Sequence, residues 1–342
     1  MLDVRSPSEF RHAHIPNAYS FPLFDDEQRA VVGTLYKQQG RETAIRRGLD
    51  YFGPRMRSMV EQAEALLREH DPATAGPSTP PSVLVHCWRG GMRSQAVAWL
   101  LDLYGFRVFT LSGGYKAFRH WVLRRFETAR DYRILGGYTG SAKTFLLQEL
   151  ERLGHRTVDL ERLACHRGSA FGDLGQPAQP SQEQFENRLA VALHELDAAP
   201  GAAPVWLEDE SQRIGSVNLP QALWEAMRAA PLYFLDIPFE QRLDHIVQGY
   251  GQFPAVRLES AILRIQKRLG GLAAREALAF LERQDIRRCF AILLEYYDKQ
   301  YRKSMTNRPE TTPVHLIATT QTSIQKRTRH LLDSLHITPE PS

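Results

Sequence analysis

A cysteine set between a strand and a run of glycines and arginines is well placed to be reactive. The string Val85-His86-Cys87-Trp88-Arg89-Gly90-Gly91-Met92-Arg93-Ser94 follows the short apolar run Ser82–His86 and precedes an apolar-periodic stretch that starts near Ser94. A thiol at such a turn meets a helix N-terminus, loop N–H groups and two cations, Arg89 and Arg93, all of which favour thiolate over thiol. Gly90 and Gly91 let the loop curl so that its amides form a nest for an anion above the sulfur. A thiolate under an anion nest suits attack on sulfur, selenium or phosphorus. The bland alternative is a buried structural cysteine, against which the flanking Arg, Gly-Gly and Arg argue. Cys289 lies in an apolar helical stripe and reads as core, while Cys165, near Arg162 and His166, is left open.

A second loop, Gly137-Tyr138-Thr139-Gly140-Ser141-Ala142-Lys143-Thr144, follows the strand-like Tyr132–Leu135 and opens a helix near Lys143. It resembles a Walker A loop, in which backbone N–H groups cradle phosphates, the lysine reaches a terminal phosphate and the Thr hydroxyl can hold Mg²⁺. The expected phosphate-binding residues are Gly137, Gly140, Ser141, Lys143 and Thr144. Ala142 departs from the pattern, which wants glycine there; its Cβ is expected to narrow the loop or exclude positive φ. Val205-Trp206-Leu207-Glu208-Asp209-Glu210 places acids at the carboxyl end of a strand, so Glu208 or Asp209 is a candidate for Mg²⁺ or its water shell. Asp159 and Glu161 end another strand. Arg167 opens a basic, glycine-rich stretch, His166–Gly172, able to wrap a phosphate or nucleoside or to be only a solvated loop.

These loops need strands to launch them and helices to close them. Strands are expected at Ser82–His86, Val108–Leu111, Tyr132–Leu135, Arg156–Asp159, Val205–Glu208 and Leu232–Leu235. Helices are expected over 181–197, 219–229, 239–248, 257–269, 273–283 and 285–303. Alternation of this kind predicts α/β architecture with parallel sheets. The expected division is 1–128 and 129–342, the second part ending in a helical, basic region at about 239–303. The Pro-rich stretch Asp71–Ser82 reads as a surface loop.

Composition narrows the class. Hydrophobic residues are 43% and charged residues 24% of 342, so a wholly disordered chain is excluded. Three cysteines far apart rule out a disulfide scaffold or a CxxC zinc site, and no metal is assigned with certainty. No uncharged apolar run is long enough to span a membrane. The opening MLDVRSPSEF has no leader pattern, and a reducing cytoplasmic setting is expected. The net charge of +4 hides an asymmetry: residues 241–342 carry 16 Lys/Arg against 10 Asp/Glu. Such clustering favours a polyphosphate partner, although a solvated helix face would look the same.

Cys87-x5-Arg93-Ser94 is shared by cysteine phosphatases and rhodanese-like domains. Leu2-Asp3-Val4-Arg5, His14-Ile15-Pro16-Asn17-Ala18 and Ser112-Gly113-Gly114-Tyr115 resemble the rhodanese pattern. That pattern normally has a strand and helix before the Asp-Val-Arg turn, and Met1 falls almost on that turn; either an edge element is lost, with weaker packing expected at that edge, or the true start lies upstream. Further strings, Val32–Gly40, Asp159–Gly172 and Leu207–Gly215, make the whole similar to the tRNA 2-selenouridine synthase family. The resemblance implies a rhodanese-like domain fused to a P-loop NTPase-like domain. It implies a tRNA carrying wobble 2-thiouridine as substrate, selenophosphate as selenium donor, and geranyl diphosphate as donor for S-geranylation. Cys87 would be the cysteine required for selenation, with Arg89 and Arg93 beside it. Lys143 and Thr144 would hold phosphate or diphosphate, and no further cofactor is required beyond a possible Mg²⁺. A supplier of selenophosphate is a possible partner. The tRNA is expected to dock on the basic helices, with Lys267 and Arg268 as contacts. Two rivals stand beside this reading. One is a cysteine phosphatase or sulfurtransferase with an attached phosphate-binding module. The other is a non-catalytic nucleic-acid binder that stacks bases on Tyr250, Tyr296, Tyr297 and Tyr301.

Overall fold

The computed structural model describes residues 1–70, 80–198 and 203–335. Most of the Pro-rich stretch expected as a loop at 71–82 lies outside the described residues. The chain forms two compact units, Met1–Arg124 and Arg125–Ser342.

In the first unit, β1 (Leu2–Asp3), α1 (Pro7–His12) and β2 (Tyr19–Ser20) precede three helices, α2 (Asp26–Gln38), α3 (Arg41–Phe52) and α4 (Met56–His70). Then follow β3 (Ser82–His86), α5 (Met92–Tyr104), β4 (Arg107–Thr110) and α6 (Gly114–Arg125). The four strands form one parallel sheet in the order β2-β1-β3-β4. Its core gathers Val4, Phe21, Met59, Val85, Val97 and Leu101. Helices α2 to α4 were not expected from the sequence. Helix α2 buries none of its residues, so it carries no apolar stripe to betray it. Its start is fixed instead by a capping box, Asp25 accepting from the Gln28 N–H.

The second unit opens with β5 (Tyr132–Gly137), α7 (Lys143–Arg152), β6 (Thr157–Val158), α8 (Leu160–Ala164), α9 (Gln182–Ala198) and β7 (Val205–Glu208). A small antiparallel hairpin, β8 (Arg213–Ile214) and β9 (Val217–Asn218), leads to α10 (Gln221–Ala229) and β10 (Leu232–Asp236). Four helices follow: α11 (Phe239–Tyr250), α12 (Ala255–Leu269), α13 (Gly271–Glu282) and α14 (Ile286–Thr306). The described chain ends with β11 (Val314–Ala318) and α15 (Ile324–Ser334). The five-stranded sheet is parallel in the order β11-β10-β5-β7-β6. From β5 the chain runs to the edge strand β6, returns to β7 beside β5, then crosses to β10 and β11 on the other side. The loop that follows β5 therefore sits at the topological switch point, where ligands of open α/β sheets bind.

β11 and α15 fall in a region without a sequence signature. Leu331 and Leu332 of α15 are nevertheless buried with Leu146, Leu147 and Leu150 of α7, so the last helix covers the one that follows the P-loop. Tyr250, Tyr296 and Tyr297 pack in the helical core with Phe171 and Phe290, which leaves little of the base-stacking surface expected from them. Cys289 is core as expected, its thiol pushed up to about 12 by burial and Asp285.

One buried ion pair ties these helices to the sheet. The Arg242 guanidinium of α11 donates to both carboxylate oxygens of Asp298 in α14, at 2.9 and 2.8 Å. It also donates to Ile237 O at 3.0 Å and to Thr139 O at 3.1 Å. Removing one partner of such a pair leaves an uncompensated charge in low dielectric, at a cost of roughly 3–5 kcal/mol. Asp298→Ala is therefore expected to lower unfolding free energy by about that amount in denaturant titration. A loss below about 1 kcal/mol would show that water reaches the site and replaces the carboxylate.

Candidate functional site: a thiol loop and a phosphate loop

Each candidate loop begins where a parallel strand ends. Cys87 is the first residue after β3, and its backbone is stitched to the start of α6. Tyr115 N–H donates to Cys87 O and Lys116 N–H to Trp88 O, both at 2.9 Å. This close approach needs glycine: at Gly114, with φ of +58°, a Cβ would lie 2.3 Å from Cys87 O. Tyr115 is itself fully buried beneath the Arg5 guanidinium, which stands 3.7 Å from its ring centroid. Arg5 donates to Asp3 Oδ2 at 2.6 Å and to Ala13 O at 2.7 Å. The Asp-Val-Arg turn thus braces the cysteine loop from below. His86 is also fully buried, its imidazole held neutral by desolvation more strongly than Asp3 can oppose.

The sulfur of Cys87 lies 3.3 Å from Ser94 Oγ. Burial pushes the thiol up. Hydrogen bonds from the Ser94 hydroxyl and N–H, and from the N–H groups of Arg89 and Gly91, more than offset burial and leave it below the ordinary cysteine value. The guanidinium charges expected to do this are not the cause. Arg93 Nη1 donates to Glu9 Oε2 at 2.8 Å, and Arg89 acts through its backbone. Ser94 Oγ also lies 3.0 Å from Gly91 O, and one hydroxyl proton cannot serve both acceptors. Both acceptors are within its reach, and a bond to sulfur favours the thiolate. Ser94 stood in the sequence motif without a role, and the structure supplies one.

In the second unit, α7 starts at Lys143 at the end of the loop. Lys143 Nζ donates to Gly137 O at 3.0 Å, and buried Ser141 folds its hydroxyl onto Tyr138 O at 2.5 Å. Gly137 and Gly140 both have positive φ. Ala142 does too, at 62°, so its Cβ does not exclude that conformation as expected; the chain accepts the strain.

Acids from two strand ends converge here. Thr144 Oγ1 donates to Glu161 Oε2 at 2.9 Å. Glu161 N–H stands 3.5 Å from Glu208 Oε2, while Glu208 Oε1 is buried without a partner. Burial, then Glu161 and Asp159, raise the Glu208 carboxyl well above its usual range. Burial and Glu161 push Glu210 up to about 8, against the pull of Lys143. Asp159 is placed differently: it caps α8, accepting from Arg162 N–H at 2.7 Å. Asp209 is also committed elsewhere, to Arg308 and to the Tyr301 hydroxyl, which in turn accepts from Gly137 N–H at 3.2 Å. Of the two expected cation acids, Glu208 therefore faces Thr144 and Asp209 does not. Among the described residues no three His, Cys, Asp or Glu side chains gather as a metal cage. Mg²⁺ needs none, since it keeps waters and phosphate oxygens and takes one or two carboxylates. Thr144, Glu161 and the orphaned Glu208 oxygen suit that demand.

Beside these acids opens a cavity of about 710 Å³ lined by His166, Gly168, Arg213, Arg264 and Arg268, among others. Its wall touches the acid cluster, since a Cβ on Gly168 would fall 2.5 Å from Glu210 Oε2. Arg268 lines it and Lys267 does not; His166 lines it and Arg167 does not. Tyr301, Arg308, Arg242 and Asp298 support the loop from sequence positions far beyond it, where no local motif marks them.

Two outcomes follow from this geometry. Ser94→Ala removes the hydroxyl donor, so the pH midpoint of Cys87 alkylation by iodoacetamide is expected to move up; an unchanged midpoint would assign the thiolate to the backbone amides alone. Ala142→Gly relieves a left-handed residue that costs an L-amino acid roughly 1–2 kcal/mol, partly offset by glycine's greater chain entropy. A gain of about 0.5–1 kcal/mol in unfolding free energy is expected, and a loss would show that the Cβ contributes packing.

The rhodanese-like domain model matches residues 1–120, and the model for the tRNA 2-selenouridine synthase AAA domain matches residues 130–331. A tRNA 2-selenouridine synthase of Cupriavidus pinatubonensis is 38% identical over 255 residues, which is 73% of this chain and 65% of that protein. One from Pseudomonas fluorescens is 36% identical over 334 residues, 88% of this chain and 87% of that protein. One from Azotobacter vinelandii is 36% identical over 344 residues, 91% and 89% respectively. The match spans a little under two thirds of the Cupriavidus protein, and 63% of a relative from Nitrosomonas europaea. An α/β unit carrying a thiol loop, an α/β unit carrying a phosphate loop, and likeness along most of the chain agree: this chain belongs to the tRNA 2-selenouridine synthase family.

Proposed function

We propose that the chain is a tRNA-modifying selenotransferase that converts wobble 2-thiouridine to 2-selenouridine with selenophosphate, by way of S-geranylation with geranyl diphosphate. The observation that carries this reading is the presence, in one chain of this family, of a cysteine with a lowered pKa and a separate phosphate loop. Both donors are phosphate anions, and each loop is of a type that holds one.

In the first half-reaction the thiouridine sulfur attacks the carbon bearing diphosphate, a C–S bond forms, and diphosphate leaves with the C–O electron pair. Lys143 and the loop N–H groups hold the departing charge. Mg²⁺, held by Thr144, Glu161 and Glu208, would supply further neutralisation of diphosphate when bound. Alkylation makes the ring carbon electrophilic and turns a poor leaving group into geranylthiolate. In the second half-reaction the selenophosphate selenium attacks that carbon and geranylthiolate leaves with the C–S electron pair; water then takes the phosphoryl group as the Se–P bond breaks, leaving 2-selenouridine and inorganic phosphate. Cys87, its thiol lowered by hydrogen bonds from Ser94 and the loop N–H groups, receives or orients the selenium. ATP hydrolysis is needed for neither step, because diphosphate and the Se–P bond are already activated. Arg89 is proposed to steer the selenophosphate anion at the open face of the loop, while Arg93, tied to Glu9, holds the loop's shape. Residues 239–303 supply basic docking surface, and the setting is cytoplasmic.

Incubation with 2-thiouridine tRNA plus each donor, followed by nucleoside analysis, tests the reading directly. Cys87→Ser is expected to retain geranylation and to lose selenium incorporation by at least about 100-fold, the scale on which loss of a nucleophilic or positioning group acts. Loss of both products together would make the cysteine structural. Turnover of a phosphoester or thiosulfate without tRNA would favour the phosphatase or sulfurtransferase alternative. Micromolar ATP affinity with steady hydrolysis would overturn the diphosphate assignment of the P-loop.

A further inference from the structure

We propose that the cavity between the 166–173 loop, the β8–β9 hairpin and α12 is the subsite for one nucleotide of the RNA, gripped by its phosphodiester. The inference rests on the tRNA reading above and names the part of the second unit that meets the polynucleotide.

Charge and hydrogen-bonding capacity point to an anion. Arg213, Arg264 and Arg268 all line the cavity. Arg264 is already held, donating to Asp173 Oδ1 at 2.9 Å and to Ala170 O at 2.6 Å, so it shapes the wall. Arg213 spends only its Nε, on Gly215 O at 2.9 Å. Among the described residues its two Nη groups and the whole Arg268 guanidinium bond to nothing. Two guanidinium forks of this kind match phosphate oxygens in geometry as well as sign. The wall also holds His166, which is only 8% exposed and whose Nδ1 is buried with no partner. Its ring contributes a polar edge to the lining.

The lining excludes the prenyl donor's hydrocarbon. Only Ala170 and Ile265 of the lining residues are aliphatic, too little wall for a ten-carbon chain that must leave water. A polar, singly charged unit such as a nucleotide fits better. The walls are also preorganised. Gln179 donates to Ala164 O at 3.0 Å and to Ile214 O at 3.1 Å, and accepts from Ser216 N–H at 2.8 Å. The hairpin carrying Arg213 is thereby fixed to α8, whose residue Glu161 meets Thr144 of the P-loop. A nucleotide seated here lies next to the acids of the phosphate loop.

The test is equilibrium binding of 2-thiouridine tRNA to the full chain at a series of salt concentrations. Arg213 and Arg268 are exposed, so Arg213→Ala and Arg268→Ala are expected to keep the wild-type melting temperature. Each is expected to weaken tRNA binding roughly tenfold, the equivalent of about 1.4 kcal/mol. Each should also reduce the slope of log K against log salt by about 0.7, the value for one single-strand phosphate contact. Affinity for geranyl diphosphate should stay unchanged. Three results would overturn the subsite: an unchanged slope in both variants, loss of geranyl diphosphate affinity with tRNA binding intact, or an equal drop for Arg275→Ala on the neighbouring helix. If the wild-type chain itself neither binds nor modifies 2-thiouridine tRNA, the tRNA reading fails and takes the subsite with it. An unchanged slope in both variants, where the wild type still binds and modifies tRNA, removes the subsite alone.

Discussion

A buried arginine is tolerable only when its donors are met, and each unit of this protein uses that requirement to hold a loop in place. Arg5 satisfies itself on Asp3 and Ala13 O while lying flat on Tyr115. Arg242 satisfies itself on Asp298, Ile237 O and Thr139 O. Tyr115 is bonded through its N–H to Cys87 O, and Thr139 belongs to the phosphate loop. The cation whose burial must be compensated therefore determines where the reactive backbone sits. Anion nests depend on N–H direction, and N–H direction depends on these braces.

The two loops then differ in how they manage charge. Around Cys87, anionic sulfur is favoured by neutral donors, the Ser94 hydroxyl and three N–H groups, while the nearest arginine side chain is taken up by Glu9. Neutral donors leave room for a second anion above the sulfur without competition from a fixed cation. Around Lys143 the balance is reversed. Glu161, Glu208 and Glu210 are too close and too buried to ionise together, and each is raised by burial and by its neighbours.

Asp209 shows how an acid at a strand end can serve structure instead. With Tyr301 and Arg308 it forms a network whose other end is the Gly137 N–H. The end of α14 and the residues just after it thus reach back to Gly137 at the start of the loop. The same logic runs through α15, which buries leucines against α7.

What the sequence determined by itself is whatever depends on neighbours within a few residues: the strand-to-helix turns at 85–94 and 135–144 and the parallel α/β class. Local spacing suffices for these because a turn, a helix N-terminus and a nest are all made within one short segment. The tertiary structure decided everything that depends on partners far along the chain. It gave Thr144 to Glu161, set Glu208 against the Glu161 N–H, gave Asp209 to Arg308, tied Arg93 to Glu9, and put Arg268 but not Lys267 on the cavity wall. Helices α2 to α4 and the strand and helix after residue 306 also belong to this second group. Of these only α2 buries no residue and so leaves no periodic trace; α3, α4 and α15 each bury apolar side chains on one face that were not expected from the sequence. Charges pair by distance in space, and adjacent positions in the chain do not encode that distance.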